Sequence, residues 1–180
     1  LYLKAFLDEL DKIGGRYEDL GYGIRFWYDK PLVATDITTS PEPGFMTDWQ
    51  PLWTTMMTQA QGESKVVEAV TQHRLAFTNQ LVEMGANIKY FDPSPESPEN
   101  FYQFNIPETV SYPHAAIITG PTPFVGRHLT VPDLRGGATL VMAAILAKGE
   151  SIIDNIELID RGYERFDERL KNLSANITRV

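Results

Sequence analysis

Between Gly137 and Ala147 the chain reads GATLVMAAILA, a helix-length stretch without one charged side chain. A helix that is apolar on almost every face must be buried all round. Something must therefore enclose it, and sheets outside the helix are the economical solution. The stretch Trp49–Gln61 also lacks charge, although its several Thr and Gln residues predict less complete burial. The two stretches hold the same place in an internal repeat: Gly62-Glu63-Ser64 recurs as Gly149-Glu150-Ser151, and Arg74 recurs as Arg161, both at an offset of 87 residues. In each copy a helix precedes the Gly-Glu-Ser turn, a β-rich stretch follows it, and a second helix ends in Ala86-Asn87-Ile88 or Ala175-Asn176-Ile177, an offset of 89. The opening helix, with Leu3, Leu7 and Leu10 and an end at Ile13-Gly14-Gly15-Arg16-Tyr17, reads as the tail of a third copy whose front half is missing.

Ile24–Tyr28, Leu32–Ile37, Lys65–Val70, Ile88–Phe91, Ala115–Thr119 and Ser151–Glu157 are short and rich in β-branched or aromatic residues, and are predicted strands. From about Tyr163 to Leu173 the spacing of Tyr163, Phe166, Leu170 and Leu173 predicts a half-exposed amphipathic helix. Between Asp92 and Pro123 stand seven prolines (Pro93, Pro95, Pro98, Pro107, Pro113, Pro121 and Pro123), which bar regular structure and predict a long loop around one strand. The expected class is α/β, in repeated strand and helix units.

With 180 residues, 43% hydrophobic and 22% charged, the chain has the composition of one globular domain. A net charge of −8 argues against a general nucleic-acid binder or an anionic-membrane surface protein. Any anionic ligand must meet a local arginine cluster. No cysteine is present, which excludes disulfides and thiolate chemistry within these residues. No apolar run approaches the ~20 residues that span a bilayer, so a cytoplasmic protein is expected. The start at Leu1, directly into a helical pattern, reads as a cut within a longer protein. His73, His114 and His128 form no ligand spacing, and no metal is expected.

Three clusters can carry chemistry. In Pro43-Gly44-Phe45-Met46-Thr47-Asp48-Trp49-Gln50, Thr47 or Asp48 can cap the helix that follows, or the Asp48 carboxylate can act as a general base on a substrate hydroxyl. In Pro132-Asp133-Leu134-Arg135-Gly136-Gly137, Asp133 can cap the enclosed helix with Arg135 in a surface ion pair, or the two glycines and the helix N-terminus can approach an anion. In Ile159-Asp160-Arg161-Gly162-Tyr163-Glu164-Arg165, Arg161 matches Arg74, and two arginines at equivalent corners can form a cationic pocket or remain a solvated charge pattern.

Together, Pro43-Gly44-Phe45-Met46-Thr47-Asp48, Asp133-Leu134-Arg135-Gly136-Gly137-Ala138 and the Asp-Arg-Gly-Tyr-Glu-Arg run from Asp160 resemble the C-terminal half of the UDP-N-acetylglucosamine 1-carboxyvinyltransferase family of enolpyruvyl transferases. The resemblance implies an inside-out α/β barrel lobe spanning residues 1–180, with helices inside, sheets outside and the first unit truncated. It also implies an N-terminal lobe that closes over the substrates. The implied reaction moves the enolpyruvyl group of phosphoenolpyruvate to the 3′-hydroxyl of UDP-N-acetylglucosamine, the first committed step toward peptidoglycan, with no cofactor. By position, Asp48 would be the base, Thr47 a sugar contact, Arg161 and Arg135 the phosphoenolpyruvate ligands, Arg74 a further pocket residue and Val70 a backbone contact to the sugar nucleotide. A non-catalytic sugar-nucleotide-binding lobe, or a transferase for another acceptor such as shikimate 3-phosphate, remain alternatives.

Overall fold

The computed structural model describes residues 3–105 and 112–180. Pro107, one of the prolines of the long loop, lies outside the described residues. The elements in order are α1 Lys4–Lys12, β1 Arg16–Asp19, β2 Ile24–Trp27, β3 Ile37–Thr38, α2 Gln50–Met57, β4 Gly62–Val67, α3 Thr78–Glu83, β5 Asn87–Phe91, α4 Pro98–Phe101, β6 Ala115–Gly120, β7 His128–Thr130, α5 Leu134–Leu146, β8 Ile152–Asp154, α6 Glu157–Asp160 and α7 Phe166–Asn172.

The repeat is visible in the backbone. Copy one is α2, β4 and α3; copy two is α5, β8, α6 and α7. Gly62 and Gly149 each open the Gly-Glu-Ser turn at positive φ, 114° and 95°, a conformation that costs a side chain and suits glycine. The helix ends α1, α3 and α7 also agree. At each, a residue of positive φ follows (Gly14, Gly85 and Ser174), and the next N–H donates to the carbonyl five residues back: Gly15 to Leu10 at 2.8 Å, Ala86 to Leu81 at 2.9 Å, Ala175 to Leu170 at 3.0 Å. This is the left-handed helix stop, and the opening helix shares it with the second helix of each copy.

A four-stranded sheet runs in the order β3-β4-β6-β5. Within it β3 and β4 are parallel, and β4 of copy one pairs antiparallel with β6, Val66 opposite Ala116. Two further sheets, β1-β2 and the parallel pair β7-β8, have two strands each. The helices α2, without charge, and α5, charged only at Arg135 in its first turn, pack on one another, and α2 also lies against β4 and β6. Trp53, Met57 and Leu140 are fully buried there. Around the start of α2 the rings of Phe6, Phe45, Trp49 and Trp53 meet edge to face at 5.2 to 5.8 Å. Each such contact adds about 0.5–1.5 kcal/mol beyond burial, and the knot fixes the segment carrying Thr47 and Asp48.

Several expectations are corrected. The helix α5 starts at Leu134, three residues before the predicted Gly137, because Asp133 caps it there. It is not buried all round: Ile145 and Leu146 are 38% and 55% exposed, and Leu52 on α2 is 41% exposed. The described sheets therefore do not close around the two helices. The Thr and Gln residues of α2 are more deeply buried than predicted, Gln50 and Thr54 completely, since Gln50 Nε2 donates to Thr54 Oγ1 one turn on. Leu32–Ile37 is strand only at its end, with one bridge at Val33. In between, the Asp36 carboxylate accepts the Lys65 N–H at 2.7 Å in place of a ladder carbonyl. The strand predicted over Ser151–Glu157 stops at Asp154, where Asn155 turns to φ 58° and α6 begins. The last helix starts at Phe166 rather than Tyr163, behind Arg165 at φ 51°, and Leu173 is exposed. The strands β1 and β7 were not anticipated, and α4 interrupts the predicted loop.

Candidate active site

Asp48 sits in the turn entering α2, and Arg135 in the first turn of α5. Because these two helices pack together, the side chains meet across 87 residues of sequence. Arg135 donates through Nε to Asp48 Oδ1 at 2.8 Å and through Nη2 to Oδ2 at 2.9 Å, a two-pronged pair. Arg74, in the turn before α3, brings Nη2 to 3.5 Å from the same Oδ1. Asp48 nonetheless stays 48% exposed while Arg74 is 13% exposed, so the carboxylate faces open space and one arginine is its wall. The bond to Asp48 raises the Arg135 guanidinium above its ordinary range, against the opposing effect of burial.

The capping role considered for Thr47 and Asp48 is not taken: α2 has no side-chain cap, because both side chains are engaged elsewhere. Thr47 donates to Glu68 Oε2 at 3.0 Å and accepts from Arg74 Nε at 3.2 Å. Asp133 does cap α5, accepting the N–H groups of Arg135 and Gly136 at 2.9 Å each. Those donors are thereby committed, and the glycine pair is packing rather than an anion cradle. A Cβ on Gly137 would stand 2.5 Å from Val131 Cγ1 and 2.8 Å from Ile159 Cγ1.

Val70 lies three residues past the end of β4, with its N–H donating to Glu68 Oε1 at 2.9 Å. Arg161 ends α6, exposed, and forms no ion pair among the described residues. Its neighbour Gly162 packs on Leu134: a Cβ there would lie 2.6 Å from Leu134 Cδ2. Arg161 is thus placed beside the turn that carries Arg135, without joining the Asp48 cluster. Among the described residues no group of three or more His, Asp or Glu gathers as a metal site.

Two residues escaped the sequence reading. Tyr163 was placed on an apolar helix face, yet it lies within electrostatic reach of the whole cluster. Burial raises its phenol, Arg135 opposes that, and Asp48, Arg74 and Asp133 contribute less. Glu68 was passed over inside a predicted strand. Its signal was an acidic residue in register with Ser64 and Val66, the buried face of β4.

A UDP-N-acetylglucosamine 1-carboxyvinyltransferase of Protochlamydia amoebophila is 39% identical over 181 residues, covering 100% of this chain and 38% of the relative. One from Chlamydia muridarum is 40% identical over 178 residues, covering 98% of this chain and 39% of the relative. The chain therefore spans less than half the length of these relatives. The crystal structure of the enolpyruvyl transferase NikO from Streptomyces tendae superposes with a TM-score of 0.80 at 26% identity, over 98% of this chain and 36% of that one. No helix of the described residues is long and apolar enough to cross a membrane. The family model described as EPSP synthase (3-phosphoshikimate 1-carboxyvinyltransferase) matches residues 3–170, and the chain belongs to that family.

Proposed function

We propose that this chain is the C-terminal lobe of an enzyme that transfers the enolpyruvyl group of phosphoenolpyruvate to the 3′-hydroxyl of UDP-N-acetylglucosamine. The observation that carries the reading is Asp48, a half-exposed carboxylate clasped by Arg135 and backed by Arg74. Asp48 would take the proton of the acceptor hydroxyl, with Thr47 beside it on the sugar. Arg135 and Arg161 would hold phosphoenolpyruvate and stabilise charge as phosphate leaves, in a site closed by an N-terminal lobe. Such closure would release Arg135 from Asp48 in favour of the anion. Similarity to two UDP-N-acetylglucosamine 1-carboxyvinyltransferases at 39% and 40% identity supports this acceptor, and a cytoplasmic reaction is part of the same proposal.

The test uses the full-length protein. Phosphate release should require both substrates, and Asp48→Asn should lower turnover by about 10²–10⁴, the usual contribution of a general base, while leaving UDP-N-acetylglucosamine binding measurable by calorimetry. Undiminished turnover in Asp48→Asn rules out the base role; binding without any phosphate release favours a non-catalytic lobe. Because the matching family model is named for 3-phosphoshikimate, phosphate release with that acceptor replacing the sugar nucleotide would reassign the substrate.

A further inference from the structure

Glu68 is 1% exposed, and among the described residues no lysine, arginine or histidine pairs with it. Four donors meet it instead. Thr39 Oγ1 at 2.9 Å and the N–H groups of Val70 at 2.9 Å and Thr71 at 2.8 Å converge on Oε1, and Thr47 Oγ1 donates to Oε2 at 3.0 Å. Thr39 in turn accepts the Ala69 N–H at 2.8 Å. A buried carboxylate left without these partners would be strongly unfavourable, so the three segments carrying them, before α2, after β3 and after β4, are held to one geometry.

The Oε2 contact reaches the active site. Thr47 Oγ1 stands 3.0 Å from Glu68 Oε2 and 3.2 Å from Thr71 Oγ1; the nearer, charged carboxylate is the stronger acceptor for its single hydrogen, so toward Thr71 and Arg74 the Thr47 oxygen presents lone pairs. One of these accepts Arg74 Nε–H at 3.2 Å, and the guanidinium so oriented extends Nη2 to within 3.5 Å of Asp48. We propose that Glu68 is a positioning residue: it acts through Thr47 to fix Arg74 against Asp48, and so shapes the acceptor side of the site and not the anion side formed by Arg135 and Arg161. The consequence for catalysis rests on the enolpyruvyl-transfer reading; the control of Arg74 does not.

Glu68→Gln tests both. The isosteric amide keeps the Oε1 acceptor but turns Oε2 into a donor, which reverses the sense of the Thr47 bond and removes the charge behind it. In ¹⁵N–¹H spectra of the full-length protein, the Arg74 Nε–H should give a resolved, slowly exchanging signal, assigned by its loss in Arg74→Lys. That signal should move and exchange faster in Glu68→Gln and in Thr47→Val. In turnover assays the KM for UDP-N-acetylglucosamine should rise about tenfold, or ~1.4 kcal/mol, with the KM for phosphoenolpyruvate unchanged. In the Thr47→Val background Glu68→Gln should add nothing, since the link is already cut. An unaltered Arg74 signal in folded Glu68→Gln, an equal rise for both substrates, or the same effect in both backgrounds overturns the proposal. If Glu68→Gln does not fold, an unaltered Arg74 signal in Thr47→Val overturns it. If the wild type releases no phosphate, the functional reading fails and the Arg74 signal alone decides the role of Glu68.

Discussion

The two copies of the repeat put different charges on the same scaffold. In copy one the turn before α2 carries Asp48 and the turn before α3 carries Arg74; 87 residues later the equivalent positions hold Arg135, in the first turn of α5, and Arg161. The first pair has opposite signs and approaches to 3.5 Å. The second has like signs and cannot pair with itself, so Arg135 reaches across to Asp48 and Arg161 stays in solvent. Duplication supplied two equivalent corners. One corner carries both signs, whereas the other carries two cations and finds its anion in the first copy.

Reversing that divergence gives the largest expected effect. Arg135→Asp would make copy two resemble copy one, with an aspartate beside Arg161, and would leave Asp48 facing a second carboxylate. In the full-length protein phosphate release should fall at least about a hundredfold, from the loss of a charge-assisted pair and the new repulsion. Arg161→Ala should act more narrowly. The KM for phosphoenolpyruvate should rise roughly tenfold for one lost charged hydrogen bond, with no change in the thermal midpoint, since this side chain holds nothing in the described structure. A drop in stability would mean that Arg161 is structural.

The copies also differ at another equivalent position 87 residues apart, the fully buried Gln50 that opens α2 and Gly137 in the first turn of α5. Gly137→Ala should destabilise by about 1–3 kcal/mol through overpacking against Val131 and Ile159, read as a lower urea midpoint at unchanged slope. The smallest effect concerns the connections. Where Leu20–Gly23 joins β1 to β2, the stretch Asp92–His114 joins β5 to β6, and the His114 ring lies 4.9 Å from Phe104 and 5.5 Å from Tyr102. Burial pushes the His114 imidazole down from its ordinary value of about 6.5, helped by His73 and opposed by Asp92. The folded form thus favours neutral histidine, so this stabilisation is complete above about pH 6.5 and fades as pH falls through the lowered native value. Replacing His114 by Gln should flatten the dependence of the thermal midpoint on pH between about 7 and 5.

The packing of α2 on α5 was legible in part, because absence of charge is a statement about burial, although Leu52, Ile145 and Leu146 stay exposed; the repeat was legible because its Gly-Glu-Ser turns require a backbone that glycine tolerates. The strands β1 and β7 were not legible. Arg-Tyr-Glu-Asp and His-Leu-Thr lie in two-stranded sheets, and at four and three residues each offers one inward side chain, Tyr17 or Leu129, too short an alternation to read. In the site, Asp48, Arg135, Arg74 and Thr47 could be named from their clusters, but not their pairing, which depends on how α2 and α5 dock. Capping was a sound local reading of Thr47, defeated by Glu68, a partner 21 residues away. The role of Glu68 itself exists only once three separate segments have converged on it.

The clasp between Asp48 and Arg135 also sets an order of events. Its ends are separated by 87 residues, and the entropy of bringing such distant points together must be met before their contact contributes anything. Local turns and the helix stops can form early, within each copy; the clasp waits until both helices have found one another. A chain halted with either copy unformed would display no assembled rim, so competence to bind would arrive with the last long-range step of folding rather than accumulate along the way.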